Sequence, residues 1–243
     1  MILAAGLGTR LRPLTDNRPK ALVEVAGRTL LEITLSRLRE FGIRDVIINV
    51  HHFADLIVDY LRQNDCFGMH IELSREEVLL DTGGGLKKAG SFFLREGRDD
   101  PFVLHNVDVI SAIDLQRMLE FHVEHQALAT LAVQRRESAR YLLFDEQQQL
   151  CGRQLAPKQT EVVRAVPHVQ PLAFSGIHVI SPRLLTLMPD ETVFSIIAAY
   201  LQLAARGEKI LAFPADQWYW RDLGRPDHIQ QAAEDLKHNV LLR

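Results

Sequence analysis

Short apolar runs and amphipathic helical patterns alternate along the first part of the chain. The apolar runs have the length of buried strands, and the patterns between them place apolar residues at helical spacing. The runs lie at 1–5, 45–50 and 69–73, and the helical patterns at 29–41 and 53–61. Strands that alternate with helices form parallel sheets covered by helices. The sequence therefore predicts an α/β fold, a Rossmann-like, mostly parallel sheet with helices on both faces.

The pattern of apolar residues changes after Ala127, where strand-like runs become more frequent. Residues 152–170 then lose periodicity and carry charges and prolines, so we expect a mobile or lid-like segment there. A strong helical pattern at 192–205 and a closing one at 226–239 follow. We therefore expect a single domain with two halves, 1–126 and 127–243, of which the second contains a small β subregion.

Composition excludes several classes of partner. The chain of 243 residues is 47% apolar and 24% charged, as in ordinary globular proteins, and its net charge is −3. No basic field attracts nucleic acid, and no apolar run has the length of a membrane span. Cys66 and Cys151 lie far apart and outside any CxxC pair, which is typical of free thiols in a reducing compartment. We expect a cytoplasmic protein without nucleic-acid or membrane partners.

The first apolar run ends at a glycine loop that is rich in cations. Gly6 and Gly8 allow backbone N–H groups to approach a bound group closely, and nearby cations suit polyphosphate. The cations are Arg10, Arg12, Arg18 and Lys20. A dinucleotide fingerprint needs a third glycine where this chain has Leu11, and a Walker loop needs Gly-Lys-Ser/Thr. Neither motif fits, which disfavours a nicotinamide dehydrogenase.

Other polar features also follow predicted strands, where ligands of open α/β sheets bind. Asp108 ends the apolar stretch PFVLHNVD, and the run Gly83–Gly85 opens the next predicted helix. A plain turn or helix cap is the alternative for Asp108. Asp222 is a second candidate carboxylate, and a surface ion pair with Arg221 or Arg225 is the alternative for it.

One histidine pair has the spacing of metal ligands on a helix. His122 and His125 lie three residues apart in the helix predicted at 114–125. No third ligand stands at a suitable spacing, so we expect solvated or helix-capping histidines.

The opening motif also carries a family resemblance. The stretch LAAGLGTRLRPLT at 3–15, followed by RPKALV at 18–23, resembles the N-terminus of the sugar-phosphate nucleotidyltransferases. Asn106-Val107-Asp108 and Trp220-Arg221-Asp222-Leu223-Gly224 are similar to two further family elements. The resemblance implies a fold of the nucleotide-diphospho-sugar transferase type, with a nucleotide-binding half (1–126) and a sugar-binding half (127–243). It also implies a nucleoside triphosphate and a sugar 1-phosphate as substrates, Mg²⁺ as cofactor, and a monomer or homodimer.

The resemblance assigns roles to individual residues. Arg10 would hold the β- and γ-phosphates, Lys20 would contact the attacking phosphate and the α-phosphate, and Asp108 with Asp222 would hold Mg²⁺. Arg10, Lys20 and Asp108 are thus the candidate catalytic residues. The implied nucleotide contacts are Leu3, Ala4, Ala5, Gly6, Gly8, Thr9, Gly83 and Gly84. The implied sugar contacts are Asn106, Tyr141, Ser175 and Gly176.

Within the family, the sequence looks most like the N-acetylmuramate-1-phosphate uridylyltransferases, which make a cell-wall precursor from UTP. Asp-Thr-Gly-Gly-Gly at 81–85, Phe-Ser-Gly-Ile at 174–177 and the chain length carry that likeness. Mannose-1-phosphate guanylyltransferases are the alternative. Many relatives have a Glu-Lys-Pro element that is missing between Cys151 and Ile177, and a glycine where this chain has Arg140-Tyr141. The sequence therefore does not decide which nucleotide base and which sugar the protein binds. A non-catalytic nucleotide or sugar-phosphate sensor is disfavoured because the candidate catalytic residues are all present.

Overall fold

The computed structural model describes residues 1–95, 99–156 and 159–237. Its strands are β1 (Ile2–Leu3), β2 (Glu24–Val25), β3 (Arg28–Thr29), β4 (Asp45–Val50), β5 (His70–Arg75), β6 (Phe102–Asn106), β7 (Val109–Ser111), β8 (Ala129–Gln134), β9 (Tyr141–Phe144), β10 (Leu150–Ala156), β11 (Gln159–Val162), β12 (Gln170–Ile180), β13 (Ile210–Pro214) and β14 (Trp220–Asp222). Its helices are α1 (Leu30–Glu40), α2 (Ala54–Gln63), α3 (Asp81–Lys88), α4 (Gly90–Phe93), α5 (Leu115–Glu124), α6 (Arg183–Thr186), α7 (Ile196–Ala205) and α8 (Pro226–Lys237).

These elements form two compact units, each assembled from separate stretches of the chain. The first unit contains Met1–Leu80, His105–Ile113 and the residues from Trp218 onward. The second contains Asp81–Leu104 and Asp114–Gln217. All four residues predicted to bind phosphate or metal, namely Arg10, Lys20, Asp108 and Asp222, belong to the first unit.

The sheet of the first unit is parallel. β1 pairs with β4 on one side, where Ile2 aligns with Ile48, and with the end of β6 on the other, where Ile2 aligns with His105. β4 pairs in turn with β5. The carboxyl ends of parallel strands lie at one edge of a sheet, so the loops after β1 and β6 begin close together. The predicted Rossmann-like alternation of strands and helices is confirmed here.

Burial explains why β4 has no alternating pattern. Val46 to Val50 are all buried, so both faces of this strand are covered and every position is apolar or, at Asn49, hydrogen-bonded. The preceding helix α1 begins at Thr29, whose side chain accepts a hydrogen bond from the Glu32 N–H at 3.0 Å. It ends just before Gly42, whose φ of +79° suits a glycine.

A short antiparallel ladder completes the first unit. β14 pairs with β7, so Asp222 aligns with Val109 and Trp220 with Ser111. Helix α8 is tied to this ladder by Asp235, whose Oδ2 atom lies 2.7 Å from Nη2 of Arg221 and accepts a hydrogen bond from Tyr219. The sequence did not predict β7 because three residues give no measurable periodicity.

The second unit contains the predicted β subregion. Its strand order is β11-β10-β9-β12-β8-β13, and neighbouring strands are antiparallel except for the parallel pair β8 and β13. The register of β12 against β8 shifts between Phe174 and His178, and Gly176 in that interval has a φ of +74°. Glycine at this bulge therefore has a backbone reason.

The described part of residues 152–170, predicted to be mobile or lid-like, contains regular secondary structure, and its mobility stays a prediction. β10 and β11 form an antiparallel hairpin in which Gly152 aligns with Val162 and Arg153 with Glu161. Arg153 Nε lies 2.7 Å from Glu161 Oε2. All four residues of β11 are exposed, so the strand has no buried face. A strand without a buried face shows no alternation of apolar and polar residues, which is why the sequence pattern fades.

The prediction that His122 is solvated or caps a helix is wrong. Its side chain is buried, with Nδ1 2.9 Å from Thr130 Oγ1 and Nε2 2.9 Å from Ser181 Oγ. Burial lowers the pKa of His122 to about 4. His122 is thus a neutral core residue, whereas the exposed His125 contacts the Phe121 carbonyl on its own helix.

Among the helices that the structure describes, none is both long and apolar enough to span a membrane.

Candidate active site

The loop after β1 is shaped by Gly8. This residue has φ +65° and ψ 19° and precedes a short 3-10 turn at Thr9–Leu11. The Gly8 carbonyl accepts a hydrogen bond from Thr15 Oγ1 at 2.8 Å. A Cβ atom on Gly8 would lie 3.0 Å from Thr15 Cγ2 and 3.3 Å from Lys20 Cβ. Backbone conformation and close packing therefore both favour glycine, and the packing places the loop against the stem of Lys20.

The loop offers free backbone donors to solvent. Gly6, Leu7, Thr9 and Arg10 are exposed. In the part of the chain that the structure describes, no protein acceptor receives the N–H groups of residues 6–10. Successive backbone N–H groups without a protein acceptor are suited to bind an anion, in agreement with the predicted binding of polyphosphate.

A buried polar chain fixes the end of β1. The Ala4 N–H donates to Asn49 Oδ1 at 2.7 Å, and Asn49 Nδ2 donates to Glu76 Oε1 at 2.8 Å. The other carboxylate oxygen of Glu76 accepts from the Leu80 N–H at 3.0 Å. Asn49 and Glu76 are both buried. The network thus links the predicted nucleotide-binding strand to the segment that leads into α3.

We predict that Asn49→Ala lowers the free energy of unfolding by about 2 kcal/mol, because it leaves buried polar groups of Ala4 and Glu76 without their partner. Urea denaturation measures the change. Asn64→Ala is the matched control, since the exposed Asn64 side chain donates only to the Tyr60 carbonyl. The control should lose about 0.5 kcal/mol or less. Equal losses in the two variants would contradict the role given to the network.

Lys20 and Asp108 form an ion pair. Lys20 Nζ contacts Asp108 Oδ2, and the two side chains are 10% and 21% exposed. Lys20 comes from the loop after β1 and Asp108 from the turn after β6, so the pair arises where two neighbouring parallel strands end. The sequence predicted both residues for this edge of the sheet but did not predict that they contact each other.

The β7–β14 ladder brings the second carboxylate to the same place. The Leu223 N–H donates to the Asp108 carbonyl at 2.8 Å, so Asp222 stands on the strand beside Asp108. The alternative partner Arg221 is engaged elsewhere, because its guanidinium pairs with Asp235 at 2.7 Å. The ladder therefore places Asp108 and Asp222 next to each other along the backbone, and the convergence of their carboxylates on one cation stays a prediction.

Arg10 reaches this cluster across Gly224. A Cβ atom on Gly224 would lie 2.8 Å from Asp222 Oδ1 and 3.0 Å from Arg10 Nη2. Any larger residue would thus displace either the guanidinium or the carboxylate. The Gly224 N–H also donates to Asp222 Oδ1 at 3.0 Å, which orients that carboxylate.

His228 supports Asp222 from helix α8 and was not identified from the sequence. Its Nδ1 lies 2.7 Å from the Asp222 carbonyl oxygen and 3.8 Å from Asp222 Oδ1. Asn49 and His228 each contact a backbone atom of a predicted site residue, and Glu76 accepts a hydrogen bond from Asn49. No motif marks such residues, because their partners are set by the tertiary structure.

The two carboxylates suit a hard divalent cation. Magnesium takes one or two carboxylates and leaves its other positions to water and phosphate oxygens. Asp108 and Asp222 supply that number of carboxylates. No cluster of three or more His, Cys, Asp or Glu that could hold a metal occurs among the described residues, so the side chains in view do not form a closed metal cage. The donor set fits a metal shared with a phosphate ligand.

Asn106, predicted to contact the sugar, lies beside β1, the strand that contains the predicted nucleotide contact Leu3. It aligns with Leu3 across the β1–β6 pair. The adjacent His105 is buried, and its Nδ1 lies 2.8 Å from the Asn106 carbonyl oxygen. Burial lowers the pKa of His105 to about 4, so its imidazole is neutral at physiological pH.

The glycines predicted to face the nucleotide base lie in the second unit. The N–H groups of Gly83 and Gly84 donate to the Phe194 carbonyl at 2.9 and 3.2 Å. A Cβ atom on Gly83 would lie 2.3 Å from Phe194 Cε2, so packing against Phe194 alone accounts for this glycine. Both residues are buried in α3, and their nucleotide contacts stay a prediction.

The remaining sugar candidates also lie in the second unit. The Tyr141 hydroxyl accepts a hydrogen bond from the Ser138 N–H at 2.9 Å, which shapes the turn before β9. Ser175 is fully buried, and Gly176 forms the bulge of β12. Their proposed roles in sugar binding stay predictions.

Comparison with known proteins gives a consistent set of relatives. A family model described as nucleotidyl transferase matches residues 1–239. The N-acetylmuramate alpha-1-phosphate uridylyltransferase of Caulobacter vibrioides is 34% identical over 96% of this chain and 94% of its own length. The mannose-1-phosphate guanyltransferase of Yarrowia lipolytica is 30% identical over 93% of this chain, which spans 60% of that longer protein.

Solved structures are similar in fold. HddC from Yersinia pseudotuberculosis, complexed with GMP-PN, has a TM-score of 0.77 and 21% identity, with 97% of each chain covered. A putative glucose-1-phosphate thymidylyltransferase from Bacillus anthracis has a TM-score of 0.79 and 19% identity, with 96% of this chain and 92% of that one covered. These neighbours confirm the predicted fold of the nucleotide-diphospho-sugar transferase type.

Proposed function

The chain belongs to the nucleotidyl transferase family, and we propose that it transfers a uridylyl group from UTP to N-acetylmuramate 1-phosphate and releases pyrophosphate. Nucleotidyl transfer to a sugar 1-phosphate is the reaction class that its curated relatives share. The choice of UTP and N-acetylmuramate 1-phosphate is carried by one observation, the end-to-end match to the Caulobacter enzyme at 34% identity.

The attacking group needs no general base. A phosphate monoester loses its second proton with a pKa of about 6, so the oxygen of a sugar 1-phosphate is ionised at neutral pH. Catalysis then consists of aligning two anions and offsetting their repulsion. The buried, neutral His105 does not need to accept a proton in this scheme.

The glycine loop and Arg10 would bind the leaving group. The N–H groups of residues 6–10 have no acceptor among the residues that the structure describes, and Arg10 extends from the same loop toward Gly224. Together they supply donors and a positive charge for the β- and γ-phosphates. Because pyrophosphate carries away negative charge, this contact strengthens as the bond to the α-phosphorus breaks.

Lys20 would hold the attacking phosphate. Its side chain is 10% exposed, so its charge is poorly screened by water and acts strongly on a phosphate that replaces its present partner. Asp108 and Asp222 would hold Mg²⁺, which when bound would offset the charge on the α-phosphate oxygens. Asn106, Tyr141, Ser175 and Gly176 would contact the sugar.

A crossed substrate screen tests the proposal. Nucleoside triphosphates are combined with N-acetylmuramate 1-phosphate, mannose 1-phosphate and glucose 1-phosphate, and each pair is assayed for pyrophosphate release and nucleotide-sugar product. We expect the highest kcat/KM with UTP and N-acetylmuramate 1-phosphate. A preference for GTP with mannose 1-phosphate would instead support guanylyl transfer, the activity named for the Yarrowia relative.

Thermal shift in the same screen separates catalysis from sensing. Ligand-dependent stabilisation without pyrophosphate release from any pair would support the non-catalytic sensor. Stabilisation together with product would support the enzyme. We expect the enzyme, because Arg10, Lys20, Asp108 and Asp222 are all present and belong to the same compact unit.

A further inference from the structure

The ion pair between Lys20 and Asp108 conflicts with the partners that the proposed function gives these residues. Lys20 Nζ contacts Asp108 Oδ2, and among the described residues Asp108 is the only carboxylate paired with Lys20. In the proposed reaction Lys20 contacts phosphate and Asp108 contacts a metal. The Lys20 ammonium and the Asp108 carboxylate are therefore paired in the substrate-free protein but must separate when phosphate and metal bind.

The Lys20–Asp108 pair and metal binding by Asp108 oppose each other on electrostatic grounds. The Asp108 and Asp222 carboxylates, two negative charges, would have an ammonium and a divalent cation beside them, three positive charges in all. The Lys20 and Asp108 side chains are 10% and 21% exposed, so water screens this repulsion poorly. A metal at Asp108 therefore favours departure of the ammonium, and departure is favourable when a phosphate receives it.

We propose that in the substrate-free protein the Lys20 ammonium occupies the place beside Asp108 where the metal binds. When metal and phosphate bind together, Lys20 leaves Asp108 and pairs with the phosphate. The metal takes the carboxylate and the phosphate takes the ammonium. This inference rests on the proposed function, which supplies both new partners. Since coupling between two ligands is reciprocal, each strengthens the binding of the other, and metal alone binds weakly because it must displace Lys20.

The backbone around Lys20 allows the exchange by side-chain rotation. The Leu22 N–H donates to the Pro19 carbonyl at 2.9 Å and the Val23 N–H to the Lys20 carbonyl at 3.0 Å, which fixes the turn. The stem of Lys20 packs against Gly8. Beyond that contact a lysine chain has several rotatable bonds, so the ammonium can move while the turn stays in place.

The test measures metal binding without nucleotide or turnover. Mn²⁺ serves as the probe, and its free concentration is followed by electron paramagnetic resonance. We expect Lys20→Met to bind Mn²⁺ about tenfold more tightly than the wild type, a factor within the usual range of coupling between sites. Arg12→Gln is the matched control, because it removes an exposed cation of the same loop that pairs with Asp16. It should leave Mn²⁺ affinity within about twofold of wild type.

A second measurement tests the coupling itself. Inorganic phosphate should tighten Mn²⁺ binding to the wild type severalfold and should have no such effect on Lys20→Met. Adding Asp108→Asn to the Lys20→Met variant should abolish the tight binding. If Lys20→Met does not fold, Lys20→Gln replaces it in both titrations.

Equal Mn²⁺ affinity in the wild type and the Lys20 variant, or no Mn²⁺ binding by the Lys20 variant, would overturn the exchange. Because no product is measured, these outcomes are independent of the substrate screen. An inactive protein that shows the exchange would contradict the proposed reaction alone. An active protein without the exchange would contradict this inference alone.

Discussion

Asp108→Asn should lower kcat by about two orders of magnitude or more, and Asp222→Asn should do the same. Each change keeps the side-chain volume and removes the charge that would hold Mg²⁺. The backbone ladder that places the two residues uses main-chain hydrogen bonds, so it does not depend on either charge. Steady-state kinetics over a Mg²⁺ titration, together with a thermal melt of each variant, measures the effect.

Asp16→Asn is the control for loss of a carboxylate near the site. Asp16 lies 3.4 Å from Arg12 in an exposed pair of the same loop region, and we give it no role in binding. Its kcat and Mg²⁺ dependence should match the wild type. Full magnesium-dependent turnover by a folded Asp222→Asn variant would contradict the assignment of Asp222 as the second Mg²⁺ ligand. Asp108 would then be the one remaining proposed ligand.

Arg10→Ala and Lys20→Ala should each reduce kcat/KM by roughly a hundredfold or more, but through different substrates. Arg10 extends over Gly224 and is assigned to the leaving pyrophosphate, so its loss should weaken triphosphate binding as well as turnover. Lys20 is assigned to the attacking phosphate, so its loss should raise the KM for sugar 1-phosphate more. Initial rates with each substrate varied in turn measure the split.

Identical effects of the two changes on both substrates would contradict this division of roles but not the reaction. Arg12→Gln again serves as control, because Arg12 lies in the same loop and forms an exposed pair with Asp16. It should change neither KM by more than about twofold, as expected for an exposed charge outside the contacts.

Much of the first unit could be predicted because its signals are local. A buried strand needs a continuous apolar run, so the runs at 1–5 and 45–50 identify β1 and β4. Ligands of open α/β sheets bind beyond the carboxyl ends of the strands, so Lys20 and Asp108 could be assigned to one edge of the sheet. The contact between them could not be predicted, because it depends on the parallel pairing of β1 with β6.

Residues whose role depends on distant partners could not be identified from the sequence. Asn49 stands inside an apolar strand, and its hydrogen bond to Ala4 follows from the β1–β4 register. Gly83 is predicted to contact the nucleotide, and the sequence could not show that Phe194 also requires a small residue there. β11, the outer strand of the β10–β11 hairpin, lies at a sheet edge and has no buried face, so periodicity could not reveal it.

The β7–β14 ladder has a consequence for protein synthesis. It joins Asp222 to the strand that follows Asp108, which lies much earlier in the sequence. A nascent chain still lacking β14 already contains Arg10, Lys20 and Asp108, but neither the second carboxylate nor Gly224 next to the Arg10 guanidinium. On the proposed assignment, such an unfinished polypeptide on the ribosome is inactive toward nucleoside triphosphates, and activity begins when β14 has emerged and paired with β7.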